Sequence, residues 1–211
     1  MNKKLLLATV MGLTLAASTA MAAPLDDYSK GKAAVDLGFN WGGSVSVDGT
    51  SIDNKPAMNA GVTVGLGNHM ALQYKYDNWQ SKDLSGVGGS AQIGYQKHQV
   101  NMLFQVAPGI SPYVGWRHDS ANLNMNTDII SGKLAGSENI LQVGVLGQYK
   151  FANDRAKLWG DIAVGTKNRQ SYEIGLGYEV VKNIDLNVAY QYNNIDDVKV
   201  KGLTTGVTYK F

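Results

Sequence analysis

Cysteine is absent from the 211 residues, so the chain has no disulfide framework, no thiolate metal site and no amino-terminal cysteine to carry a lipid. Long apolar runs are missing too: nothing after residue 22 approaches the 18 consecutive apolar residues of a membrane helix. Proline is scarce, at 4 residues, beside 25 glycines, which points to twisted strands and tight turns and not to a disordered chain. Charge of one sign is lacking. The formal net charge is +2, but Lys3 and Lys4 lie in a segment expected to be removed, and without them basic and acidic residues balance. A neutral chain offers no electrostatic case for nucleic acid. The three histidines, His69, His98 and His118, are spaced unlike metal ligands, so neither a metal nor a cofactor is expected. A chain of this kind can cross a membrane only with strands.

The start of the chain carries an export signal. Lys3-Lys4 is a basic opening, Leu5 to Ala17 an apolar core too short to span, and Ala20-Met21-Ala22 a small-x-small cleavage site. Residues 1–22 are therefore expected to be a signal peptide, residues 23–31 a short periplasmic lead-in, and residues 32–211 a single domain.

From Lys32 onward the chain alternates. Val35, Leu37, Phe39 and Trp41 oppose Ala34, Asp36, Gly38 and Asn40; Met58 to Leu66, Met70 to Tyr76, Leu141 to Phe151, Leu158 to Val164, Tyr172 to Val180 and Ile184 to Tyr192 repeat the pattern. The segment after Ser90 breaks it. Ile93 and Tyr95 stand in one phase and Val100, Met102 and Phe104 in the other, which predicts a bulge near Lys97-His98. Short turns are expected at Gly67-Asn68-His69, Ala107-Pro108-Gly109, Ala152 to Arg155 and Lys182-Asn183, and longer polar loops at the other ends, the longest over residues 119–137. Ten segments result, with eight as the alternative if the seventh and eighth pair differently. An even count with connections short on one side and long on the other predicts an all-β transmembrane antiparallel up-and-down barrel.

The last eleven residues fit that reading. Leu203, Val207, Tyr209 and Phe211 lie on one face of a strand ending in a carboxy-terminal aromatic. This closing segment resembles the terminal insertion signal of Gram-negative outer-membrane β-barrels, and Pro112-Tyr113-Val114-Gly115 is similar to a stretch recurring in the small barrels related to the OmpA and OmpW transmembrane domains. The resemblance implies an outer-membrane location, a porin-like relation, and as partners membrane lipid and lipopolysaccharide, the export channel, periplasmic chaperones and the barrel-insertion machinery. It names no functional partner.

Ring placement adds a physical criterion. Trp41, Tyr76, Trp79, Tyr95, Trp116, Tyr172, Tyr190 and Tyr192 fall near loop-proximal strand ends; Phe104, Tyr149, Phe151, Tyr178, Tyr209 and Phe211 fall near turn-proximal ends. Two belts of amphipathic rings bracketing an apolar band are what a bilayer selects.

The opposite face is expected to line a narrow lumen, with Asp36, Lys75, Asp77, Arg117, Lys150, Asp161, Glu173, Glu179, Asp185 and Lys210 as its charges. Buried ions must pair, so an upper group of Lys75, Asp77, Arg117 and Glu173 and a lower one of Lys150, Glu179, Asp185 and Lys210 are expected. Inward glycines leave volume that Tyr113 and Trp159 could cover. The sequence thus allows a barrel passing ions or small solutes by limited diffusion, or a structural or surface-recognition barrel acting through its loops. A hydrolase is remote: His118-Asp119-Ser120 catches the eye, but neighbours on a strand point to opposite faces. No catalytic residue is expected.

Overall fold

Period-2 alternation lets one strand meet two environments, and the chain repeats it until the sheet closes on itself. The computed structural model describes residues 24–47, 50–82, 84–86, 89–127, 131–195 and 198–211; the expected signal peptide lies outside the described residues. The strands are β1 (Ala33–Val47), β2 (Thr50–Lys55), β3 (Ala57–Gly67), β4 (Met70–Ser81), β5 (Leu84–Gly86), β6 (Gly89–Phe104), β7 (Ile110–Thr127), β8 (Ser131–Phe151), β9 (Ala156–Gly165), β10 (Arg169–Val181), β11 (Ile184–Ile195) and β12 (Val198–Lys210). The short β2 and β5 extend hairpins at the loop end, and the other ten form a closed antiparallel barrel, as the segment count predicts. Closure joins the ends of the chain: β1 pairs with β3 on one side and β12 on the other, and the Phe211 N–H donates to the Ala33 carbonyl at 2.8 Å. Asn68, His69, Lys167, Asn168 and Asn183 take the positive φ that tight hairpin turns require.

The barrel is inside out relative to a soluble protein. Leu141 is 65 % exposed and Ile162 57 %, whereas Asp77 and Lys97 are at 0 %. Outward apolar side chains form a continuous band; the hydrophilic ones face the axis.

Three expectations change. No bulge separates Tyr95 from Val100: β6 keeps one unbroken register against both β4 and β7, and its upper half turns apolar residues inward. Ile93, Tyr95 and Trp79 are buried in the lumen, so neither Tyr95 nor Trp79 belongs to the aromatic belt. Residues 119–137 are not a loop in their described part. β7 and β8 continue as a paired hairpin from Asp119↔Glu138 to Asn126↔Ser131. At 18 and 21 residues these strands far exceed the roughly 9–11 needed to cross a bilayer, so the hairpin stands clear of it.

Glycine on the inner wall makes room for aromatic rings. A Cβ at Gly144 would lie 2.4 Å from Tyr113 Cζ, and one at Gly175 2.4 Å from Trp159 Cε2, so both rings lie flat over strand glycines. Gly147 faces outward, and its Cβ would meet nothing nearer than 3.9 Å. Gly175→Ala should therefore destabilise the barrel by about 1–3 kcal/mol through overpacking, while Gly147→Ala should stabilise it slightly, by about 0.5–1 kcal/mol. Denaturant titration in detergent, read by the shift between folded and unfolded gel bands, separates the two.

Candidate functional site: the lumen and its closed mouth

The lumen is layered. At the turn end, residues 24–31 fold back into the mouth. Leu25 and Tyr28 are 4 % and 2 % exposed and join Ala34, Ala71, Leu103, Tyr113, Leu146, Trp159, Ala163 and Ala189 in one apolar cluster across the interior. Polar contacts hold the segment. Tyr28 OH donates to Ser111 Oγ (3.0 Å), Gly67 N–H to the Tyr28 carbonyl (2.9 Å), Lys157 Nζ to the Pro24 carbonyl (2.7 Å) and Gln148 Nε2 to the Leu25 carbonyl (3.4 Å). Asp26 sits between Lys157 Nζ at 2.6 Å and Lys150 Nζ at 2.9 Å. Gly65 lets the segment pass: a Cβ there would lie 2.4 Å from the Ser29 carbonyl oxygen.

Above this layer Lys75, 1 % exposed, lies between Asp161 (3.5 Å) and Glu173 (3.9 Å), and Tyr113 OH donates to Asp161 at 2.8 Å. A chain of amides crosses the wall beside it. Gln142 Nε2 donates to Asn101, Asn101 Nδ2 to Gln73, and Gln73 Nε2 to Thr63. Gly115 permits the first link, since a Cβ on it would lie 2.1 Å from Asn101 Oδ1. Asp36 accepts from Thr208, which also accepts from Asn187 Nδ2 at 2.8 Å.

Toward the loop end, Lys97 pairs with Asp77 at 2.8 Å, both fully buried. Asp119 is held by Arg117 Nε (2.7 Å) and Arg169 Nη1 (2.6 Å); Arg117 also donates to Tyr95 OH, and Arg169 and Lys167 both reach Glu138. Charges taken this far from water persist only when paired and hydrogen-bonded, and the like-charge neighbours Asp161 and Glu173 are bridged by Lys75 from across the lumen.

Of the ten charges singled out from the sequence, Asp36 accepts from Thr208, and the structure places the other nine as follows. Lys75, Asp161 and Glu173 meet in the middle, while Asp77 and Arg117 go to separate partners. Lys210 bridges Glu179 and Asp185, each at 2.9 Å, at the turn-end mouth, and Lys150 turns to Asp26 instead. Sequence reasoning missed Lys97, Asp119, Glu138, Lys157, Arg169 and Asp26. Lys97 was legible from the phase of Gln99 and Asn101, and Asp119 from its i, i+2 relation to Arg117. Nothing in the sequence signals that the lead-in folds inward. All three histidines lie outside the lumen. His69 is in an exposed turn; His98 and His118 face outward, hydrogen-bonded to Tyr74 and Asn139 and far from serving as a base for an interior acid.

A closed, outward-apolar barrel with its polar groups paired inside matches a known family: the outer membrane protein beta-barrel domain, over residues 12–211. The chain belongs to that family. It is an outer-membrane protein. Barrels of this kind put the end with the chain termini on the periplasmic side, and the other end, where β7–β8 is long and β9–β10 closes tightly over residues 166–168, outside. Among solved structures it is similar to Ail, the attachment invasion locus protein of Yersinia pestis, at 15 % identity and TM-score 0.54, over 86 % of this chain and 99 % of that one. It is also similar to the outer membrane protease OmpT from Escherichia coli, at 10 % identity and TM-score 0.58, over 94 % and 100 %. At such identities the likeness is one of fold. A comparison with curated proteins finds no match. The terminal residues Leu203, Val207, Tyr209 and Phe211 face lipid, with Tyr209 and Phe211 packed edge to face at 4.6 Å.

Docking at the mouth should weaken in strong acid. Burial pushes the Asp26 carboxyl up, but Lys157 and Lys150 outweigh it and hold it below the ordinary 3.8. Its folded value being depressed, its contribution to docking is full above 3.8 and is lost as pH falls through the lower folded value. Asp26→Asn should weaken docking by roughly 2 kcal/mol at neutral pH. Amide hydrogen exchange across residues 24–31 measures both effects: faster exchange in the variant at pH 7, and in the native chain only at strongly acidic pH.

Proposed function

We propose that the protein is a closed outer-membrane barrel that acts at the cell surface through its long β7–β8 hairpin, with its lumen shut at rest. The observation carrying this reading is the docked segment 24–31, which together with Tyr113, Leu146 and Trp159 fills the periplasmic mouth with an apolar layer. Ions crossing a bilayer need a continuous polar path, and an apolar plug interrupts it. The paired charges above the plug act as a scaffold that stiffens the wall, and the barrel positions the hairpin. The reading is non-enzymatic. Ail, similar in fold, is the attachment invasion locus protein of Yersinia pestis, which accords with a surface role.

A porin-like reading is the second, favoured by one observation: the plug is a segment of chain held in the mouth only by noncovalent contacts. The two separate in planar bilayers. Refolded mature chain should give no steps above bare lipid, and a chain lacking residues 24–31 should give small ohmic ones. Conductance of the intact chain equal to that of the shortened one would establish passive diffusion instead. Deleting residues 121–136 should leave the heat-resistant folded band in place and abolish retention of expressing cells on immobilised matrix proteins and glycans.

A further inference from the structure

The outer wall carries a recess that the closed lumen does not explain. In antiparallel register, Ile110, Gly147, Gly160, Ile174 and Tyr190 form one row across β7 to β11. All five point outward, and the two glycines in the middle leave the wall bare. The row above runs Val145, Ile162, Tyr172, Tyr192 and then Lys201; the row below holds Tyr149, Leu158 and Leu176. Two ridges thus flank a groove of about 640 Å³, floored by Gly147 and Gly160. Because strands tilt in a barrel, the row climbs obliquely from Ile110, the first residue after a periplasmic turn, to Tyr190 in the upper aromatic belt.

We propose that this groove binds an acyl chain of a phosphate-bearing lipid of the outer leaflet, its phosphate over Lys201. The groove lies in the hydrocarbon layer, so its occupant is lipid or another membrane protein. Each ridge is one side chain wide and the floor is backbone, a slot shaped for a single hydrocarbon chain. A second barrel would present ridges of its own and could not seat a wall there. Charge decides the orientation. The upper ridge passes from apolar residues through the Tyr172–Tyr192 ring pair, 6.3 Å between centroids, to the exposed ammonium of Lys201, with exposed Lys199 two residues on and on the same face. Apolar wall, aromatic belt and cation follow one another in the order of chain, glycerol or sugar, and phosphate in a lipid. The site is independent of whether the lumen conducts.

Filling the slot tests it. A Cβ at Gly147 or Gly160 meets nothing closer than 3.4 Å, so Gly147→Leu/Gly160→Leu should fold, as its heat-modifiable gel band would record. Native chain, this double variant and Lys201→Gln are placed in phosphatidylcholine nanodiscs doped with lipid A, with dephosphorylated lipid A or with phosphatidylglycerol. Lipid retained after detergent release is counted by native mass spectrometry. The expected result is at least a tenfold loss of retained phosphate-bearing lipid in the filled variant. Lys201→Gln should lose the preference for lipid A over its dephosphorylated form. Retention of lipid A alone identifies a glycolipid site, and equal retention of phosphatidylglycerol a general phospholipid one; both support the proposal. Retention unchanged by filling would overturn it, as would a native dimer that the filled variant loses, which would assign the groove to a second copy.

Discussion

Backbone hydrogen bonding in a medium without water governs this molecule. Each unpaired N–H or C=O in the hydrocarbon layer costs several kcal/mol, so a sheet can sit there only if it has no edge. That is why β1 and β12 meet in register from Ala34↔Lys210 to Trp41↔Leu203, and why the chain spends its last residue bonding back to Ala33. Closure then imposes the rest. A ring of ten strands has one inner face and one outer face, and the period of two sends every second residue to each. The outer face becomes apolar because lipid demands it; the inner face has to solve a packing problem in a narrow cylinder.

The interior solves it with three devices in sequence along the axis. At the periplasmic end the chain's own lead-in supplies bulk, and Leu25 and Tyr28 complete an apolar core that the strands alone leave open. Next to them in the same core Tyr113 and Trp159 cover Gly144 and Gly175, and above the rings Lys75 draws Asp161 and Glu173 together. Near the outer end, Arg117 and Arg169 share Asp119, so these three ions are paired where the dielectric is low. Each layer uses what its height provides: free chain and rings at the mouth, long cationic side chains above them and toward the hairpins.

Fold and strand number were legible from alternation and ring placement, because those signals are local and repeat along the chain. The places where reading failed share one cause. Ile93, Tyr95 and Trp79 are apolar residues on the inner face, and a rule that equates apolar with lipid assigns them to the belt or invents a bulge. Lys97 was lost with them. The 119–137 hairpin alternates over Ala121 to Asn126, but its apolar row Ala121, Leu123 and Met125 is in phase with the inward Arg117 and Asp119, so the same rule does not read it as strand. Pairing of charges is a property of the closed ring. Arg169 lies 50 residues from Asp119, and only the barrel brings them within 2.6 Å. The docking of residues 24–31 is tertiary in the same sense: its determinants are a pair of lysines on β8 and β9 and a glycine on β3.

Glycine shows how far the same residue type can serve opposite ends here. At Gly65, Gly115, Gly144 and Gly175 the missing side chain is space already taken by a carbonyl, an amide or a ring within 2.4 Å of where Cβ would be. These positions are constrained from the inside, and any side chain disturbs a packed neighbour. At Gly147 and Gly160 the space is left open on the lipid side. A strand interior loses about 0.5–1 kcal/mol for a glycine relative to alanine, and at these two positions no interior contact offsets that loss. An outward glycine pair, adjacent across β8 and β9 in the middle of a band otherwise filled with Val, Ile, Leu and Tyr, therefore has its physical reason on the membrane side of the wall, in whatever the bilayer presses into it.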